Sequence, residues 1–187
     1  MDLTAWITYH TQACSSVLDL GTMFGNRLWS LPPRVSRRLG IEIHAPYVHA
    51  GLTQFGPLDP RIELRIGDIR EYREIINGER FDCCMLIDVI EHFDPDEARR
   101  LLRQVLHDFR LVLVFTPDGF HPQNADHYGM GADHWQTHRS GWTSADLEQF
   151  GFTVEVDPHH HGQKGGALFA HRDRGPRGAS DMPPEAI

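Results

Sequence analysis

The sequence is short of the features that mark several large protein classes. Its three cysteines, Cys14 and the adjacent Cys83 and Cys84, are too few for a disulfide framework, and two of them fall inside an apolar segment, so buried free thiols are expected. No apolar run approaches the roughly 20 residues that span a bilayer, which argues against a membrane protein. The stretch Met1 to Ala13 lacks the basic start and apolar run of a secretion signal, so the expected location is cytoplasmic. Basic residues are outnumbered, 18 against 26 acidic ones, for a formal charge of −8. That balance disfavours a broad nucleic-acid surface, although Arg34, Arg37, Arg38, Arg99, Arg100 and Arg103 offer local patches. A Gly-x-Gly-x-x-Gly fingerprint is missing from the first strand-to-helix turn, which counts against a nicotinamide-dependent reductase.

What is present is an alternation of short apolar strands with helix-like segments. Strands are expected at Ser16 to Leu20, Leu39 to Ile43, Ile62 to Ile66, Phe81 to Ile87, Leu111 to Thr116, Phe152 to Val156 and Ala167 to His171. This pattern predicts an α/β fold, a doubly wound, mainly parallel seven-stranded sheet in a single domain over residues 1–171. The clearest helix opens at Asp94-Pro95-Asp96-Glu97, where Asp94 suits the cap, Pro95 the first turn and Glu97 a capping box. Ala98, Leu101, Leu102, Val105 and Leu106 then recur at helical spacing and mark its core face. A second helix, Ser144 to Phe150, has Thr143 as its cap.

Two regions break the alternation. Gly119 to Gly141, with four histidines and several glycines, is longer than an idle connection and is expected to be a substrate loop. The Arg-, Gly- and Pro-rich end, residues 172–187, is expected to be a flexible tail. With only about 14 residues ahead of the first strand, a lid falls to Gly119 to Gly141, to Met1 to Ala13, or to a second subunit. His159-His160-His161 reads as a surface turn.

Four strand ends carry chemistry. Val17-Leu18-Asp19-Leu20-Gly21 runs into a turn with Gly25, and in a doubly wound sheet that turn lies at the carboxyl edge where ligands bind. Glu42 follows Asp19 by 23 residues, close to the spacing of a carboxylate that accepts from ribose hydroxyls, and also suits a solvated strand end. Asp68, beside the apolar Ile69, suits an adenine's amino group and ring, and equally the N-cap of the next helix. Beyond the fourth strand, Asp88, Glu91 and His92 stand at i, i+3 and i+4, which places three donors on one side if the segment makes a helical turn. Two carboxylates and an imidazole suit manganese or magnesium, histidine favouring the manganese end.

This order of motifs resembles class I S-adenosylmethionine-dependent methyltransferases over roughly residues 15 to 171. The resemblance implies that Asp19, Gly21 and Gly25 surround the methionine part of S-adenosylmethionine, that Glu42 with Ile43 holds the ribose, that Asp68 with Ile69 holds the adenine, and that Asp88 flanks the cofactor. One departure is Met23, which stands where the family carries a second glycine. The pairing of Asp88-x-x-Glu91-His92 with His138-Arg139-Ser140-Gly141-Trp142-Thr143 resembles the metal-dependent enzymes that methylate the 2′-hydroxyl at the 3′ end of small RNAs, with Asp88 where they carry glutamate. That likeness implies a metal set of Asp88, Glu91, His92 and His138, while the His-Arg-Ser-Gly-Trp-Thr form is also similar to small methyltransferases of surface glycans and bacterial metabolites.

A sugar hydroxyl is a weak nucleophile at neutral pH, so a positioned base or a metal ion is expected beside it, and His92, His138 and Asp88 are the candidate catalytic residues. His121, His127 and His134 fall in the long loop and read as solvated or substrate-facing. The expected function is O-methylation of a small hydroxylated molecule or glycan. The alternatives are methylation of an RNA ribose, and a decayed cofactor fold in which Met23 has cost the turn its ligand. An oligomer is compatible with each.

Overall fold

The computed structural model describes residues 1–54, 59–162 and 165–175. Seven strands form one open sheet: β1 (Ser16–Leu20), β2 (Arg37–Glu42), β3 (Ile62–Ile66), β4 (Cys83–Ile87), β5 (Leu111–Pro117), β6 (Thr153–Asp157) and β7 (Ala167–Asp173). Their order is β3-β2-β1-β4-β5-β7-β6; the first five are parallel, and β7 runs antiparallel to both neighbours. The chain thus winds outward from β1 to β3 and returns to start β4 on the other side of β1. The β1–β4 junction is the switch point of a doubly wound sheet, where a crevice opens beyond the strand ends.

Alternate side chains of each strand feed two cores, as the period of two requires. One face carries Leu18, Leu39, Cys84, Val112 and Leu168 under α4 (Tyr72–Ile76), α5 (Pro95–Asp108) and α7 (Ser144–Glu148). The other carries Val17, Cys83, Met85, Leu113 and Phe169 under α1 (Leu3–Thr11), α2 (Asn26–Trp29) and α3 (Ala45–Gln54). All three cysteines are buried and free. No helix among the described residues is long and apolar enough to cross a membrane.

Several local expectations are met and several are redirected. Ala98, Leu101, Leu102, Val105 and Leu106 of α5 are buried, but Asp94 makes no side-chain cap bond, and Glu97 reaches Arg70 at 3.2 Å instead of its own helix end. Thr143 and Asp146 build the capping box of α7. Arg38 belongs to no surface patch: it is buried, donating to the carbonyls of Leu28, Leu31, Pro32 and Val35 and pairing with Asp59 at 3.3 Å, so it closes the end of α2. His160 is half-buried, its ring 5.1 Å from Phe115 and 5.3 Å from Phe169, because the β6–β7 turn folds back over the sheet. Residues 172 and 173 continue β7; residues 176–187 of the expected tail lie outside the described residues.

Candidate active site

A cavity of about 320 Å³ opens at the switch point, walled by the ends of β1 to β4 and by the long loop. Gly21, Glu42, Ile43, Asp68, Ile69 and Asp88 all line it, so six of the eight expected cofactor residues converge there from four separate strand ends. Asp19 and Gly25 do not. Asp19 is buried beneath the turn, accepting the Thr22 hydroxyl at 2.7 Å, and burial pushes its carboxyl up to about 6. Gly25 caps α2 at φ +79°, where an added Cβ would sit 2.9 Å from Leu64.

The turn after β1 keeps the shape a glycine would give it. Met23 sits at φ +54°, in the left-handed region that costs a residue with a Cβ roughly 1–2 kcal/mol. Its N–H donates to Glu42 Oε2 at 3.0 Å, and the N–H of His44 donates to Oε1 at 2.8 Å. Each carboxylate oxygen keeps a second lone pair, and the group lines the cavity. Burial raises the Glu42 carboxyl, with the backbone donors pulling the other way.

Asp68 takes the cap role and also lines the cavity. Its Oδ1 accepts from the Arg70 N–H at 2.9 Å as the cap of the 3₁₀ turn 69–71, and its carboxylate pairs with the Arg70 guanidinium. Arg70 also reaches Glu97, so the cavity rim is tied from β3 to α5. Ile43, Ile69 and Val89 supply apolar walls between these carboxylates.

The second half of the site is the corner after β4. Asp88 stands at φ +55°, and the chain then makes a 3₁₀ turn over 90–92, not the α-turn assumed from spacing. Glu91, His92 and His138 offer ligand atoms all within 4.8 Å of one another, and Asp88, outside that group, is exposed on the cavity wall. Glu91 is buried, its Oε2 accepts the Thr116 hydroxyl at 2.9 Å, and its Oε1 has no partner. Burial, reinforced by the charge of Asp88, pushes this carboxyl up to about 8. His92 is pushed down to about 4 by burial and by the neighbouring His138, which burial lowers as well. The two rings lie 4.8 Å apart.

The tautomers follow from their partners. His138 Nδ1 sits 2.6 Å from the His121 carbonyl and His92 Nδ1 3.3 Å from that of Thr137. A carbonyl only accepts, so each Nδ1 carries the proton and each Nε2 keeps a free lone pair. Two neutral imidazoles and one carboxylate, whose Oε1 is buried without a partner, form a donor set that fits a divalent cation of the manganese or zinc kind.

The His-Arg-Ser-Gly-Trp-Thr segment is built to hold that corner. Arg139 and Ser140 donate their N–H groups to the Glu91 carbonyl at 2.8 and 3.0 Å. The Arg139 guanidinium donates to the carbonyls of His92, Thr137 and His134, and the Ser140 hydroxyl to that of Ile90 while accepting from buried Trp142. Sequence spacing had no means to show this clamp, since it is made almost wholly by backbone carbonyls.

The long loop is ordered around Asp126. Its carboxylate accepts from the Tyr47 hydroxyl and from the N–H groups of Tyr128, Met130 and Ala132, while its own N–H donates to Asp133. A short helix, α6 (Asp133–Gln136), follows and places His134, Trp135 and Gln136 on the cavity wall. His127 is exposed and His121 half-buried, both outside the ligand cluster, and no residue of Met1 to Ala13 lines the cavity.

The sequence matches no protein-family model and no curated protein. Solved structures do match. The methyltransferase domain of a bacterial Hen1 protein aligns with 90% of this chain and 96% of its own at TM-score 0.64 and 16% identity. The N-methyltransferase NodS from Bradyrhizobium japonicum WM9, solved with S-adenosylhomocysteine, aligns with 91% of this chain and 84% of its own at 0.67 and 13%. The N-terminal domain of EvdMO1, solved with S-adenosylhomocysteine and D-fucose, aligns with 91% and 82% at 0.65 and 17%.

Proposed function

On the premise that the chain carries the class I methyltransferase fold, we propose that it is an S-adenosylmethionine-dependent O-methyltransferase acting on a hydroxyl of a small molecule or glycan, assisted by a divalent cation. The observation that carries this reading is the placement of the Glu91–His92–His138 donor set against the cavity lined by Glu42 and Asp68. Gly21, Glu42 with Ile43, and Asp68 with Ile69 are the residues that would hold the cofactor. Glu42 has lone pairs for two ribose hydroxyls, and Ile43 and Ile69 would flank the adenine. When bound, the cofactor supplies a methyl group on a cationic sulfur, an electrophile that asks mainly for positioning of the acceptor.

The acceptor's proton is the harder problem. Glu91, His92 and His138 would hold the cation, which supplies Lewis acidity toward an acceptor oxygen. His92, held near 4, stays neutral through the physiological range and suits a ligand better than a base. His138 is less deeply perturbed and is the residue to accept a proton if the cation is dispensable. Asp88, apart from the cluster and on the cavity wall, suits the acceptor or the cofactor rather than the metal. Trp135, exposed at the rim, offers a flat apolar face to a sugar ring or base.

A second reading, methylation of a ribose hydroxyl at an RNA end, is favoured by the same donor set and by the likeness to the bacterial Hen1 domain. The net charge of −8 weighs against it. Transfer of a labelled methyl group to hydroxylated sugars and to RNA oligonucleotides, with and without Mn²⁺, tests both. Manganese-stimulated labelling of sugars, lost in His138→Ala, supports the first reading; labelling of RNA ends alone supports the second; no labelling of either contradicts both.

A further inference from the structure

The geometry points to a second metal site, sharing no residue with the cavity wall, in which His10 of α1, Glu155 of β6 and His171 of β7 bind a divalent transition-metal ion of the zinc class. One ligand atom from each of these residues lies within 4.8 Å of the other two.

The cluster is a product of matched repeats. Glu155 is paired with Phe169 across the β6–β7 ladder, so Glu155, Phe169 and His171 share one face of the sheet, the face covered by α1. Residues i and i+4 of a helix are separated by about 6 Å along its axis, and residues i and i+2 of a strand by about 6.6 Å. The Trp6–His10 step on α1 therefore fits the Phe169–His171 step on β7. Trp6 packs edge-on against Phe169 at 5.5 Å, and His10 lands on His171 with ring centroids 4.2 Å apart.

Two imidazoles at that distance repel if both are protonated, and burial together with His171 lowers His10 accordingly. Neutral rings are the ligand form. His171 Nδ1 is buried and has no hydrogen-bond partner, a cost that coordination would remove. Two histidine nitrogens and one carboxylate oxygen make the three-ligand set of zinc, with ligand atoms about 3.3 Å apart once drawn to their usual bond lengths. His10, Glu155 and His171 line an open cleft of about 620 Å³, whose wall also includes Asp173, itself 3.7 Å from Arg110. Such an ion would fasten α1 to the outer hairpin of the sheet.

The test is titration of the full chain with Zn²⁺ alone, in a His138→Ala background that removes a ligand from the other cluster. The result expected is one bound ion per chain, measured by equilibrium dialysis, with a rise in melting temperature. Glu155→Gln and His10→Asn are expected to weaken that binding at least about tenfold and to remove the thermal shift. Glu155 is exposed, so Glu155→Gln should keep the metal-free melting temperature and can decide the matter alone if His10→Asn folds poorly. No binding, or binding unchanged by Glu155→Gln, overturns the site. Because no cofactor is added, failure here leaves the methyltransferase reading untouched.

Discussion

Thr116 donates its hydroxyl to one oxygen of Glu91 at 2.9 Å, and the other oxygen of that carboxylate is buried without a partner. Burial has raised this group to about 8. Without a cation the folded chain therefore keeps a proton that the unfolded chain releases above its ordinary carboxylate pKa, and stability falls as pH rises through that window up to about 8. A cation at this corner must displace the proton. Mn²⁺ affinity is expected to rise about tenfold per pH unit up to about pH 8 and then level. Calorimetric titration between pH 6 and 9 checks this, and a flat profile would remove Glu91 from the ligand set.

Arg139 should behave as a positioning residue. It holds the carbonyls of His92, Thr137 and His134, so Arg139→Ala is expected to weaken Mn²⁺ binding about tenfold or more while leaving S-adenosylhomocysteine affinity little changed. Arg139→Lys should recover little, since one ammonium cannot span three carbonyls. Equal losses for both ligands would mean that the whole cavity had collapsed.

The loop hub gives a prediction in acid. Burial raises the Asp126 carboxyl, but the hydrogen bonds from Tyr47, Tyr128, Ala132 and Met130 outweigh it and hold the group at about 2. Its stabilisation is present above the ordinary carboxylate pKa near 4 and is lost as pH falls from there toward 2. Asp126→Ala should cost about 2 kcal/mol or more at neutral pH and erase that part of the acid transition, read by chemical denaturation at pH 7 and pH 3.

How much of this was legible in the sequence divides along physical lines. The strands, the α5 core stripe and the four cavity-lining strand ends were readable because hydrophobic period and strand-end position survive into three dimensions. Asp19 lies beneath the turn, toward Thr22, and not on the cavity wall, a direction that its place on β1 does not reveal. The Asp88–Glu91–His92 spacing suggests an α-helical turn, whereas the chain makes a 3₁₀ turn there with Asp88 at positive φ, and Glu91 and His92 gather with His138. The cluster of His10, Glu155 and His171 left no trace in spacing, for its members meet only through the β6–β7 pairing and the packing of α1 on that hairpin.

Met23 offers a direct check on strain. Because it already holds the left-handed backbone a glycine prefers, Met23→Gly should leave melting temperature equal or higher and should not weaken S-adenosylhomocysteine binding. Met23→Val, stiff at its β-carbon, should destabilise the chain by about 1 kcal/mol or more. Thermal melts with and without ligand decide between a working turn and a decayed one.

The most direct measurement is calorimetric titration of the purified chain with S-adenosylhomocysteine, run beside Glu42→Gln. Saturable one-to-one binding with a raised melting temperature is expected, weakened about tenfold or more when Glu42 loses its charge. No heat of binding and an unchanged melting temperature would contradict it.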